Sequence, residues 1–208
     1  MSIFNKLFLN QNEKDLKKKN STIQKEVEIE IVPIRDIGLA IITASNNCAK
    51  EIQPFISAKN DKQKQETAIY IFNEFIYFFV HMTMRSSFSI LSDQQMQKLQ
   101  KLLGPLIIEV AIDTYFIHWP EDLKSKMSSE FYENLNDAEL EYSKSRELFS
   151  KDNPLTSDSL FSKLARNVTE LSGSSTNPLT MTYGISVSIK EFKEMKLDQL
   201  ISKASKVL

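Results

Sequence analysis

The sequence predicts an all-α protein, a single-domain bundle of about six helices around a buried central helix at residues 68–90. Only four glycines and six prolines occur in 208 residues, which favours long regular elements. The stretch 62–90 contains neither residue, and its length suits one helix better than a buried strand. Its apolar residues leave no wide polar face, a pattern typical of a buried helix or a membrane span.

The central stretch is predicted to be a core helix rather than a membrane span. Its strictly apolar part is shorter than the roughly 20 residues that cross a bilayer. A longer span would include Glu74, His81 and Arg85, each of which is costly in lipid.

Residues 1–24 are predicted to form an N-terminal arm, and residues 25–208 a single helical domain. A short apolar face is expected in the arm, followed by lysines, and this combination is typical of weak contact with anionic membrane surfaces. The residues of this face are Ile3, Phe4, Leu7 and Phe8. A frayed or docked terminus is the favoured interpretation, because one short face anchors poorly.

Two segments alternate apolar and polar residues with the period of a half-buried strand, 25–32 and 181–189. A minor two-stranded ribbon between them is therefore an alternative feature of the fold. Ile185, Ile189 and Phe192 also follow a helical stripe, which favours helix for the second segment. The first segment stays undecided.

Prolines, a glycine and candidate cap residues divide the rest of the chain into further helices. A first helix is expected at 34–58, with Pro54 ending or kinking it. Asn60 and Asp61 are candidate caps of the central helix. A third helix starts at Ser92 or Asp93, and Gly104-Pro105 is expected to break or kink it. Later helices are predicted at 121–152, 157–171 and 179–205, the first of them acidic and amphipathic through Phe131, Leu135, Ala138 and Tyr142.

Charge and cysteine content restrict the function classes. The formal net charge of −1 gives no general attraction to nucleic acid. Cys48 is the single cysteine, so an intrachain disulfide is excluded and a cytoplasmic location is expected. We find no secretory signal, phosphate-binding loop, dinucleotide fingerprint or zinc motif. No cofactor and no catalytic residue is therefore predicted, and an enzyme is disfavoured without being excluded.

Polar residues in the central helix are the candidate site. Glu74, His81 and Arg85 fall within about 40° of one line on the helix. An antiparallel hairpin of the central and third helices would place Glu74 beside Glu109 and Tyr70 beside Asp113. The candidate ligand-binding residues are therefore Tyr70, Glu74, His81, Arg85, Glu109 and Asp113.

Two buried carboxylates close together would need a cation, a shared proton or water. A basic residue such as Arg35 or Arg166 is one candidate partner. A metal ion held by Glu74, Glu109 and Asp113 is another, and a bound cationic ligand is the third. The chain contains no Glu-x-x-His, which argues against a ferritin-type metal site.

Three functions remain as hypotheses. The first is a non-enzymatic interaction or assembly protein that forms a homo-oligomer. The second is a helical bundle that binds a small molecule or metal ion at the carboxylate, histidine and arginine side chains. The third is a peripheral membrane protein that uses the N-terminal arm.

Overall fold

The computed structural model describes residues 32–115, 121–148, 158–174 and 177–208. These residues are helical apart from short connections, so the all-α prediction is confirmed. The predicted arm at 1–24, with its apolar face, lies outside the described residues, as does nearly all of the candidate strand at 25–32.

The described residues form seven helices, named here in chain order. They are α1 (32–52, continued by a 3₁₀ turn at Gln53–Phe55), α2 (Asp61–Ser87), α3 (Asp93–Tyr115), α4 (Glu121–Tyr142), α5 (Leu160–Leu171), α6 (Pro178–Met195) and α7 (Leu197–Ala204).

Side-chain caps set the starts of α2 and α3, as the sequence predicts. The Asn60 side chain accepts a hydrogen bond from the backbone N–H of Gln63 at 2.9 Å. Ser92 and Gln95 form a capping box, in which the Ser92 N–H donates to Gln95 Oε1 at 3.0 Å and the Gln95 N–H donates to the Ser92 hydroxyl. Each cap stabilises its helix by about 1 kcal/mol.

Helix α2 occupies the centre of the bundle, which confirms the predicted buried helix. Residues 75–83 are all buried, and nine consecutive residues cover every direction around a helix. Helices α3, α4, α5 and α7 pack against α2. The buried Phe78 ring lies 5.4 Å from the Tyr142 ring of α4 and 5.0 Å from the Phe161 ring of α5. Both contacts are edge-to-face, the favoured arrangement of aromatic rings.

Four buried threonine and serine hydroxyl groups bond within their own helices. Each donates to a carbonyl oxygen four residues earlier, so it needs no partner on a neighbouring helix. The pairs are Thr83 with Phe79, Ser87 with Thr83, Thr169 with Ala165, and Ser188 with Gly184.

The ribbon alternative is wrong, because residues 181–189 lie inside α6. The buried positions of α6 are spaced by three and four residues and include Gly184 and Ser188. These small residues bring the helix close to α5, where a Cβ on Gly184 would lie 3.9 Å from Ala165. Small residues form part of the buried face of α6. The alternation of apolar residues at 181–189 therefore suggested a strand where the chain is helical.

The last predicted helix, 179–205, is two helices in the structure. Lys196 separates α6 from α7 and has a left-handed backbone with φ of 50°. The change of direction places Leu197 and Ile201 of α7 in the core. Burial of this second apolar face compensates for the unfavourable conformation of one lysine.

The predicted break at Gly104-Pro105 is absent, because α3 continues through both residues. Proline removes the N–H that would bond to the carbonyl of Lys101. Lys101 and Pro105 are both exposed, so water can satisfy that carbonyl.

We expect Phe78→Ala to lower the free energy of unfolding by about 3–5 kcal/mol, because it leaves a cavity among packed rings. Phe88→Ala is the matched control, since Phe88 ends the same helix but is 74% exposed, and it should change stability by less than about 1 kcal/mol. Chemical denaturation of both variants measures the difference. Equal losses would contradict the central position of α2.

Candidate ligand-binding site

Arg85 binds the chain just after α4. Its guanidinium donates to the carbonyl oxygen of Ser145 at 3.1 Å and to that of Arg146. Both carbonyl groups lie in the non-helical connection that follows α4, where no helical N–H can bond to them. Arg85 therefore fixes the end of α4 on α2.

Glu74 is a partly buried acceptor with two donors. Its Oε1 atom accepts two partly buried hydrogen bonds, from the Tyr142 hydroxyl at 2.5 Å and from Asn167 Nδ2 at 2.8 Å. Burial raises the pKa of Glu74 above its ordinary value of 4.5, the two hydrogen bonds oppose this shift, and the charge of Glu141 adds to it. Burial and the charge of Glu74 raise the pKa of Tyr142 well above its ordinary value. Tyr142 therefore remains the donor of this pair.

The predicted buried pair of Glu74 and Glu109 is wrong. Glu109 has 51% of its side chain exposed and forms a 3.0 Å ion pair with Arg35 of α1. Helix α1 lies against this part of α3, since a Cβ on Gly38 would be 3.7 Å from Ile107. The prediction assumed that the central and third helices pair as an antiparallel hairpin, and it did not allow for α1, which packs against α3. Arg35, one of the basic partners proposed from sequence, does neutralise Glu109.

Tyr70 and Asp113 are the two remaining candidate residues. Tyr70 is 62% exposed at the surface of α2. The side chain of Asp113 lies outside the described part of the structure, so its contact with Tyr70 stays a prediction.

Four of the predicted residues line two different clefts. The small cleft has a volume of about 300 Å³ and includes Tyr70 and Glu74. The large cleft has a volume of about 870 Å³, lies between α2, α3 and α4, and includes His81 and Arg85.

The large cleft has walls that are mostly apolar in area, although half of its lining residues are polar or charged, including Gln97, Gln100, Asn136 and Ser143. Its apolar lining residues are Val80, Met84, Phe88, Met96, Leu103, Tyr132 and Leu135. Its charged or titratable lining residues are His81, Arg85, Asp93 and Glu139. A concave, apolar site with a small number of placed polar groups is the usual form of a small-molecule pocket.

His81 and Glu139 form a pair at this cleft. His81 Nδ1 lies 2.9 Å from Glu139 Oε2, and the histidine is only 7% exposed. The other atoms of the same groups, His81 Nε2 and Glu139 Oε1, are buried and have no hydrogen-bond partner among the described residues. Each such atom costs about 1–3 kcal/mol, and buried polar groups in folded proteins normally have a partner.

The small cleft is acidic and aromatic. Four carboxylates line it, with three aromatic rings and no lysine or arginine; they are Glu74, Glu130, Asp137 and Glu141, with Tyr70, Tyr77 and Phe131. In the described part of the chain, no group of three His, Cys, Asp or Glu side chains is placed to hold a metal ion. Glu74 and Glu109, two of the proposed metal ligands, instead have separate protein partners.

Cys48 is not an activated nucleophile. Cys48 is fully buried, and burial followed by the charge of Glu191 raises the pKa of its thiol far above the ordinary value. A protonated, enclosed thiol is a poor nucleophile. His81 Nε2 contacts no described hydroxyl or thiol.

Sequence reasoning missed Glu139, Tyr142 and Asn167 as partners of α2. Glu139 lies four residues after Leu135 and three before Tyr142, so it sits on the apolar face of an acidic helix. A charged residue on the apolar face of a helix was the sequence signal that could have identified Glu139. Asn167 carried no comparable signal, since it appears only in an Asn-Val-Thr triplet whose Val168 and Thr169 are buried.

Comparison with protein-family models, curated proteins and solved structures gives no match. No helix in the described ranges combines the length and apolar character required to cross a membrane.

We expect Glu74→Gln to stabilise the protein near neutral pH. Both donors bind Oε1, so glutamine can retain the two hydrogen bonds without a partly buried charge. The pKa of Glu74 is raised in the folded state, so the wild type binds more protons when folded, and its stability falls as pH rises from 4.5 through the folded pKa.

The stability advantage of Glu74→Gln should therefore grow as pH rises above 4.5. Denaturation of both proteins across this range measures it. Glu66→Gln, an exposed position on the same helix, is the control and should show no comparable trend. A variant that is less stable than the wild type at every pH would overturn this description of Glu74.

Proposed function

We propose that the protein is a non-enzymatic binding protein that holds a small, largely apolar molecule in the large cleft between α2, α3 and α4. The observation that carries this proposal is the His81–Glu139 pair, in which one buried atom of each group lacks a described partner. A ligand that bonds to these atoms recovers the free energy that their burial costs.

The size and composition of the large cleft support a small-molecule ligand. Its volume of about 870 Å³ lies within the range of roughly 300–1,000 Å³ found for ligand pockets. Met84 and Met96 line the cleft on different helices. Unbranched methionine side chains adapt to ligands of different shape at low cost.

Methionine methyl groups give a direct test of the binding position. With ¹³C-methyl methionine, an apolar fragment should shift the Met84 and Met96 signals and leave Met82 unchanged. Met82 is buried in the same helix and does not line the cleft.

Leu135→Trp, which places a large ring in the cleft, should abolish the methionine shifts. Leu140→Trp is its control, since Leu140 is exposed on α4 outside the cleft lining. Fragment shifts that survive Leu135→Trp, or that never appear at Met84 and Met96, would refute the proposed site.

The rim of the large cleft favours a second candidate function, a protein interaction or assembly role with formation of a homo-oligomer. Phe88 is 74% exposed and Tyr132 is 42% exposed on this rim. Exposed aromatic residues beside a groove are typical anchors of protein interfaces. A membrane-surface role for Ile3, Phe4, Leu7 and Phe8 remains a proposal from the sequence alone.

Phe88→Ser tests the second candidate. If the rim joins two copies, light scattering should give a dimer for the wild type and a monomer for this variant. Leu179→Ser, at an exposed position on α6, should leave the dimer intact. A wild-type protein that stays monomeric at high concentration would rule out the homo-oligomer.

A further inference from the structure

We infer that the ligand of the large cleft is an uncharged alcohol, whose hydroxyl group bonds to His81 Nε2 while its apolar part lies along the methionine and leucine side chains of the lining. This inference rests on the proposed function, because it names the chemical class of the ligand that the cleft holds. It depends on one buried atom, His81 Nε2, and on the bonds that Arg85 and Glu139 already make.

His81 offers an occupant of the cleft one ring nitrogen, Nε2. Its Nδ1 atom is already 2.9 Å from Glu139 Oε2, and the two nitrogens of an imidazole ring point in different directions. A group bound at Nε2 therefore lies away from the Glu139 carboxylate and needs no charge to match it. The histidine lines the cleft and is only 7% exposed, and its Nε2 atom has no partner among the described residues.

A hydroxyl group suits His81 Nε2 in either protonation state of the ring. Nε2 donates a hydrogen bond when it carries a proton and accepts one when it does not. A hydroxyl does both, whereas an ammonium group only donates and an ionised carboxylate only accepts. A primary amide also does both, but it brings two donors and a carbonyl oxygen, and each group left without a partner in an apolar site costs free energy. A hydroxyl is therefore the better complement of a single ring nitrogen.

The charged side chains of the cleft favour a ligand without charge. Arg85 already donates to two carbonyl oxygens of the connection after α4, and Glu139 is bonded to His81. Asp93 is exposed in the first turn of α3, where a negative charge is favoured by the helix dipole. A charged ligand group beside His81 would lose its hydration and compete for side chains that are already bonded.

Access to His81 Nε2 requires a side-chain movement, because the atom is covered in the structure. Met84 lies three residues after His81, on the same side of α2, and lines the cleft. A methionine has three rotatable bonds, so a change of its rotamer opens space beside the ring at low cost.

Four probes with a six-carbon chain test the inference: 1-hexanol, 1-fluorohexane, hexylammonium and hexanoate, each below its solubility or micellar limit. Fluorohexane is close to hexanol in size, but it cannot donate a hydrogen bond and accepts one only weakly. Affinities are measured from the Met84 and Met96 methyl shifts. We expect hexanol to bind at least about tenfold more tightly than either charged probe, because the site offers no free partner for a charge.

His81→Asn removes the proposed contact. Asparagine keeps an NH₂ donor near the position of Nδ1, where it can bond to Glu139, and has no atom at the position of Nε2. Hexanol binding should weaken by at least about threefold, as expected for one hydrogen bond between uncharged groups, while fluorohexane binding stays the same. Gln97→Leu is the matched control, since Gln97 is another polar residue of the cleft lining, and it should leave the affinity for hexanol unchanged.

The ¹⁵N signals of the histidine ring test the contact directly. Their loss in His81→Asn assigns the His81 signals. Hexanol should shift the Nε2 signal of His81 more than the Nδ1 signal, because Nδ1 stays bonded to Glu139. Fluorohexane should shift the Nε2 signal less than hexanol does.

The outcomes separate the two proposals. If the probes shift the Met84 and Met96 signals but His81→Asn weakens hexanol and fluorohexane equally, or neither of them, the cleft is a binding site and the alcohol inference is wrong. A charged probe that binds as tightly as hexanol also overturns the inference. If no probe shifts the methionine signals, both the inference and the proposed function fail. If His81→Asn does not fold, the probe ranking and a parallel Gln97→Leu sample, which assigns no His81 signal change to the mutation, decide with the wild-type ¹⁵N shifts.

Discussion

Helix α2 must be covered on every side, and this requirement organises the bundle. Nine consecutive buried residues, 75–83, leave no direction in which water can solvate it. The aromatic side chains of this stretch are large, so the covering helices pack around rings such as Phe78 rather than around a smooth cylinder. Glu74, His81 and Arg85 of α2 then find their partners on other segments, and α4 with the residues after it supplies most of them.

The composition and apolar pattern were sufficient to predict the fold class and the central helix. Caps at Asn60 and Ser92 were also predictable, because an N-cap depends on residues within one turn. The division at Lys196 was not, since a lysine has no preference for a left-handed backbone. That conformation is stabilised by burial of Leu197 and Ile201 against distant residues, which local sequence does not encode.

The sequence predicted the candidate site residues on α2 but not their partners on the neighbouring helices. Glu74, His81 and Arg85 were found because polar residues in an apolar helix are conspicuous. Their partners were not found, because the choice among neighbouring helices depends on packing at long sequence separation. Asn167 lies 93 residues from Glu74 in the chain, and nothing near either residue marks the pair. Glu139 was closer to prediction, since its position within an apolar stripe is visible in the sequence.

The buried hydroxyls of α2 and its Glu74 and His81 side chains differ in what they require of a neighbouring helix. Thr83 and Ser87 bond to their own backbone, so these hydroxyls would keep their partners if an adjacent helix shifted along α2. Glu74 and His81 would not, because a displacement of α4 by one turn, about 5.4 Å, would separate them from Tyr142 and Glu139. A charge buried without its partner is strongly penalised. The Glu74–Tyr142 and His81–Glu139 contacts therefore fix the alignment of α4 along α2. Apolar packing alone would tolerate several alignments.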